Sequence, residues 1–155
     1  MSLSVMENIL AEFGASIGIP DLRPDAEQRC NLMFDDVAVS FELGAGDESL
    51  YIYSLLGDVP ETGAEAAYAD LLGANYSFGG TGGSTLSVDP RSGSIVLIRE
   101  ERLEALRLPT LEAVVQDFVN VAEQWMNRIR SGDLGGPDDE VPEDPQPPAG
   151  GMMRV

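Results

Sequence analysis

Residues 50–56 constrain the fold more than any other stretch. Leu50 and Ile52 project to one side of an extended chain, and Tyr51, Tyr53 and Leu55 to the other. A strand that is apolar on both faces needs cover on both, so its far face must meet a helix or another chain. The preceding segment, 37–43, alternates cleanly: Val37, Val39, Phe41 and Leu43 against Ala38, Ser40 and Glu42. A glycine- and acid-rich loop at 44–48 joins the two into a hairpin. A shorter strand at 31–34, with Cys30, Leu32 and Phe34 on one face, reaches this hairpin through the Asp35–Asp36 turn. A second hairpin pairs 85–88 with 94–99 around Asp89-Pro90-Arg91-Ser92-Gly93.

Three helices accompany the strands. In 2–17, Leu3, Met6, Leu10, Phe13 and Ile17 recur at spacings of three and four, and Val5 and Ile9 widen that face. Ser4 and Glu7 have capping-box spacing. Gly18 and Pro20 stop the helix. So apolar a helix lies on its own sheet, or packs on one side and leaves surface for a partner. Pro60 introduces the second helix, with Thr62 and Glu65 as a capping box and Gly73 as its end. Its alanines permit close approach to a sheet or to a second helix. The last helix begins at Pro109 and Thr110. Leu111, Val114, Val115, Phe118, Ala122, Trp125, Met126 and Ile129 form one broad face, with Trp125 as a core anchor. Early Glu112 and Asp117 and late Arg128 and Arg130 complement its dipole. The predicted class is α+β: helix-β-β-β-helix-β-β-helix, a mainly antiparallel twisted sheet packed by helices. From Gly132 the chain turns acidic and proline-rich, so the expected division is a domain over 1–131 and a disordered, solubilising tail over 132–155.

Charge removes several function classes. The 155 residues carry 27 acidic and 9 basic side chains, a net charge of −18. Every basic residue is arginine, and histidine is absent. Nucleic-acid and anionic-membrane binding both require a cationic face, which this composition disfavours. Without histidine there is no Ser/His/Asp or Cys/His arrangement, and the commonest metal ligand is missing. Asp35–Asp36 and Asp47–Glu48 are the best carboxylate clusters, and neither has the spaced oxygens of a calcium loop. The run Gly79-Gly80-Thr81-Gly82-Gly83-Ser84 has no following lysine and leads into a strand, so it reads as a flexible connection rather than a phosphate cradle. No enzyme activity, metal or cofactor is expected. The single cysteine, Cys30, allows no internal disulfide and suits a reducing compartment. No signal peptide and no membrane-spanning run are apparent, which points to the cytoplasm.

Several short stretches together resemble the class I chaperones of bacterial type III secretion, the Tir-chaperone (CesT-like) family. They are Phe13-Gly14 with Ile17-Gly18; Cys30-Asn31-Leu32; Leu55-Leu56-Gly57 before Pro60; Leu71-Leu72-Gly73-Ala74-Asn75; Gly82-Gly83 before Leu86-Ser87-Val88-Asp89; Gly93-Ser94-Ile95-Val96-Leu97; and Phe118-Val119 with Ala122 and Trp125. The resemblance covers roughly residues 2–130. It implies a homodimeric, ATP-independent bacterial chaperone. Such a protein holds the N-terminal segment of a secreted effector in an extended, secretion-competent form. By that analogy Ala67, Tyr68, Leu71 and Leu72 belong to the dimer seam. Leu3, Met6, Leu10, Phe13, Leu32, Phe34, Val39 and Phe41 are the candidate partner-binding residues. Two other readings remain at this stage: a regulator of the same fold that sequesters a transcription-control protein, and a general acidic protein-interaction module.

Overall fold

The computed structural model describes residues 2–135. Helix α1 (Ser2–Ser16) is followed by strands β1 (Arg29–Phe34), β2 (Val37–Leu43) and β3 (Ser49–Asp58). Helix α2 (Ala64–Asn75) and a 3-10 turn (Tyr76–Phe78) lead to β4 (Thr85–Val88) and β5 (Ser94–Arg102); a second 3-10 turn (Leu103–Ala105) follows, and α3 (Leu108–Ser131) closes the domain. The α+β order is the expected one. The five strands form one antiparallel sheet in the order β1-β2-β3-β5-β4. The chain therefore leaves β3 through α2, builds β4 on the far edge and returns with β5 between them.

Register assigns the faces. Cys30 pairs with Phe41, Leu32 with Val39, and Phe41 with Ile52. These side chains share a face with Leu50, Leu86, Ile95 and Leu97, and they pack into one cluster with α1, α3 and Leu71 of α2. Helix α3 crosses β2 and β3, α1 lies against α3, and α2 runs beside β4. The α3 face contributes Leu111, Val114, Val115, Phe118, Ala122, Trp125 and Met126, all buried. Each such side chain stabilises by about 1.5–3 kcal/mol before ordering entropy is subtracted. Trp125 also donates its Nε1–H to the Gly80 carbonyl (2.9 Å) and stacks under the Arg128 guanidinium, 4.6 Å from the ring centre.

Two glycines permit close crossings. A Cβ on Gly14 would lie 2.5 Å from both the Ile19 carbonyl and Leu22, where the chain folds back after α1. Gly57, at φ 144°, sits at the β3 bulge, and a Cβ there would lie 2.8 Å from Ile129.

Local signals misplace several boundaries. Ser4 lies inside α1 rather than opening it. Helix α2 starts after Gly63 in a left-handed conformation, and no side chain caps it, so the Thr62–Glu65 pair forms no capping box. It also runs through Gly73 to Asn75, because a helical glycine with open space around it does not stop a helix whose next turn is anchored elsewhere. The glycine run at 79–84 is held by hydrogen bonds that include Gly80 N–H to Ala74 O (3.0 Å), Gly82 N–H to Phe78 O (3.1 Å), Trp125 to Gly80 O, and Arg99 Nη1 to Gly82 O (3.0 Å). Tertiary hydrogen bonds thus replace the expected flexible connection. Of the expected tail, Gly132–Gly135 lies against α2. Leu134 packs on the core, and the Gly135 N–H donates to the Asp70 carboxylate, which also pairs with Arg128 at 3.3 Å. The remainder of the tail, 136–155, is outside the described residues.

Candidate partner-binding surfaces

The sheet has two edges, and they differ. At the β1 edge, Asp25 takes the outward groups of Arg29: Oδ1 accepts the Arg29 N–H (3.0 Å), and the Asp25 N–H donates to the Arg29 carbonyl (2.7 Å). Because outward-facing backbone alternates along an edge strand, Asn31 and Met33 are the next residues with N–H and C=O turned away from β2. No described strand lies beyond them. Beside this edge a groove of about 280 Å³ runs between α1 and α3, lined by Phe13, Ile17, Phe34, Glu112, Val115, Gln116 and Val119. The Phe13 ring links the groove to the core, tilted at 6.5 Å from Phe34 and 6.2 Å from Phe41. Ile17 in the groove is 39% exposed; Ile19, in the turn after α1, is 40% exposed, and Met33, which alternates with Phe34 on β1, is 67% exposed on the other sheet face.

The outer sheet face is the second apolar surface. Tyr51, Tyr53, Val96 and Ile98 are half-buried, and Leu55 is 60% exposed. No described helix covers it, so the cover expected for the far side of β3 is not supplied within residues 2–135. Its polar margin is organised by Glu42, whose Oε2 accepts from Arg29 Nε (3.2 Å) and from the Tyr53 hydroxyl (3.1 Å). Glu42 holds the Arg29 guanidinium above its usual pKa. Burial, then the bond to Glu42, pushes the Tyr53 phenol up.

The third surface follows α2. Tyr68, Leu72 and Tyr76 recur every four residues and are 44%, 69% and 69% exposed; Phe78, in the turn just beyond the helix, is 55% exposed. Ser77 and Phe78 both hold positive φ, 52° and 56°. A bulky residue there is uncommon, and such strain concentrates at functional surfaces.

These placements divide the candidate residues. Met6, Leu10, Phe13, Val39 and Phe41 are at most 2% exposed. Apart from the edge of Phe13 that lines the groove, they offer almost no surface to a partner, because the apolar stripe of α1 packs against α3 and the inward side chains of β1 and β2. Leu3, Leu32 and Phe34 are partly buried. Only Phe13 and Phe34 of the eight line the groove. Of the seam candidates, Ala67 and Leu71 are core, and Tyr68 and Leu72 are surface. Sequence reasoning missed Ile19, Met33, Tyr76, Phe78 and Val119. The spacing of four from Tyr68 to Tyr76 was the available signal for part of this set.

Among the described residues no cluster of three or more Asp, Glu, Cys or His side chains is placed to hold a metal ion. No described helix is long and apolar enough to cross a membrane.

Solved structures share this architecture. One chain of the ExsC–ExsE complex is 26% identical, with a TM-score of 0.68 over 81% of this chain and 93% of that one. The HopA1–SchA chaperone–effector complex gives 22% identity and a TM-score of 0.68, covering 82% and 97%. The Yersinia pestis type III secretion chaperone SycH, in complex with a fragment of YscM2, gives 13% and 0.62, covering 77% and 96%. No curated protein sequence matches the chain significantly. The profile of the Tir chaperone protein (CesT) family matches residues 8–126, and the chain belongs to that family.

Proposed function

We propose that the protein is a type III secretion chaperone that binds the N-terminal region of a secreted effector and keeps it soluble and extended. Family membership and the likeness to chaperone–effector complexes support this reading. The observation that carries it is the open β1 edge beside the groove of Phe13, Ile17, Phe34 and Val119. An extended effector segment adds a strand by bonding to the backbone of Asn31 and Met33, and its alternate side chains fill the groove. Leu32 and Phe34 contribute from β1. The segment orders on binding, so affinity must come from a large wrapped surface, and the outer sheet face extends it. The protein acts as a homodimer whose seam is the stripe of Tyr68, Leu72 and Tyr76, together with Phe78. It works by binding and not by catalysis, in the bacterial cytoplasm, where its acidity keeps a client complex soluble.

The test is affinity purification of the tagged full chain from its native bacterium under secretion-permissive conditions, with mass spectrometry of bound proteins. The expected result is a stoichiometric partner whose N-terminal segment alone suffices for binding and whose secretion fails without this protein. Phe34→Asp should lose that partner while retaining the wild-type circular dichroism spectrum. Recovery of a transcription-control protein in place of a secreted one would refute the effector assignment.

A further inference from the structure

The opposite sheet edge carries a built closure. On β4, Leu86 pairs with Leu97, and its own N–H and C=O point away from β5. Both are taken by one side chain: Asn75 Oδ1 accepts the Leu86 N–H (2.8 Å), and Asn75 Nδ2 donates to the Leu86 carbonyl (2.9 Å). A carboxamide has one acceptor and one donor group at the spacing of a peptide unit, so Asn75 imitates a neighbouring strand for one residue. The other groups on this edge are nearly exhausted. The Ser84 N–H donates to Thr81 O (3.0 Å), and β4 ends at Val88. Only Val88 retains an outward pair by alternation, against two such residues on β1. The Asn75 anchor also explains why α2 runs past Gly73.

We propose that Asn75 is a specificity-determining residue that closes β4 to strand addition, so the sheet accepts an incoming segment at β1 alone. This rests on the strand-addition reading above and gives it a polarity. Exposed edges pair indiscriminately, with client or with another copy, unless they are covered. With one edge closed, each protomer binds one segment in one place, and a client cannot bridge protomers edge to edge.

The probe is a short arginine-flanked Thr-Val peptide carrying a benzophenone, photo-crosslinked to the full-length protein and mapped by mass spectrometry. Wild type should carry the adduct on Arg29–Phe34 and none on Thr85–Val88. Asn75→Ala should carry it on both strands. So should Asn75→Asp, which keeps the side-chain size and the acceptor but cannot donate to the Leu86 carbonyl. Adduct on β4 of the wild type overturns the proposal, whether or not the variants fold. A folded Asn75 variant without adduct on β4 overturns it too. Absence of adduct on β1 in every protein instead overturns the strand-addition reading, and the β4 comparison still decides the closure.

Discussion

Leu72 gives the sharpest test of the α2 seam. It lies 69% exposed in the middle of the stripe and contributes little to its own protomer's core. Burying a whole leucine side chain is worth about 1.5–3 kcal/mol, so burying the exposed part in a seam is worth about 1–2 kcal/mol. A two-fold seam presents the residue twice, which makes Leu72→Ala cost about 2–4 kcal/mol of association. The dimer dissociation constant should then rise by roughly 30- to 700-fold, at 1.4 kcal/mol per decade. Sedimentation equilibrium of wild type and variant over a range of concentrations measures this directly. Thermal melts at a concentration where both are dissociated should agree to within about 0.5 kcal/mol, as for other exposed substitutions. An unchanged dissociation constant would refute the seam. Loss of folded protein at low concentration would show instead that Leu72 supports the protomer itself.

Further outcomes follow from burial and charge. Leu10 is fully buried, so Leu10→Asp should abolish cooperative folding by circular dichroism, since a buried unpaired carboxylate costs several kcal/mol; a folded variant defective only in partner binding would return Leu10 to the surface. Cys30 is 3% exposed, and burial, then the nearby Asp25 charge, raises its thiol pKa; Ellman's reagent should therefore react only after denaturant is added, and prompt native-state reaction would contradict the packing of β1. In the β4–β5 turn, the Arg91 N–H donates to Asp89 Oδ1 at 2.8 Å and is the leading cause holding that carboxyl below its ordinary 3.8. Because the folded value lies below the unfolded one, its contribution is complete above 3.8 and is lost as pH falls through the folded value. The difference in urea midpoint between wild type and Asp89→Asn should thus be present at about pH 6 and shrink as the pH is taken below 3.8; a difference that grows on acidification would reverse the sign.

Capping residues gave the least reliable local signals. Ser4–Glu7 and Thr62–Glu65 both have the right spacing, yet the first lies inside α1 and the second yields to Gly63. A capping box competes with whatever tertiary contact fixes the helix end, and here those contacts are stronger. Gly73 failed as a stop for the same reason: Asn75 is tied to a strand eleven residues later in the chain.

Periodicity by itself determined the elements and their faces. Alternation at Val37, Val39, Phe41 and Leu43, and the three–four spacing in α1 and α3, reflect backbone geometry, which any stretch of chain carries with it. Sequence also determined the acidity and the absence of histidine chemistry. Tertiary structure decided which apolar faces became core and which stayed open. Met6 and Leu10 are equivalent to Leu72 and Tyr76 by pattern, yet the first pair is fully buried and the second is 69% exposed. Burial depends on what arrives from elsewhere in the chain: α3 and the inner face of β1–β2 cover α1, and no described element covers the outer stripe of α2. The same holds for the edges. Strand order leaves both β1 and β4 outermost, and a single distant carboxamide, placed by the fold, makes one of them a closed end.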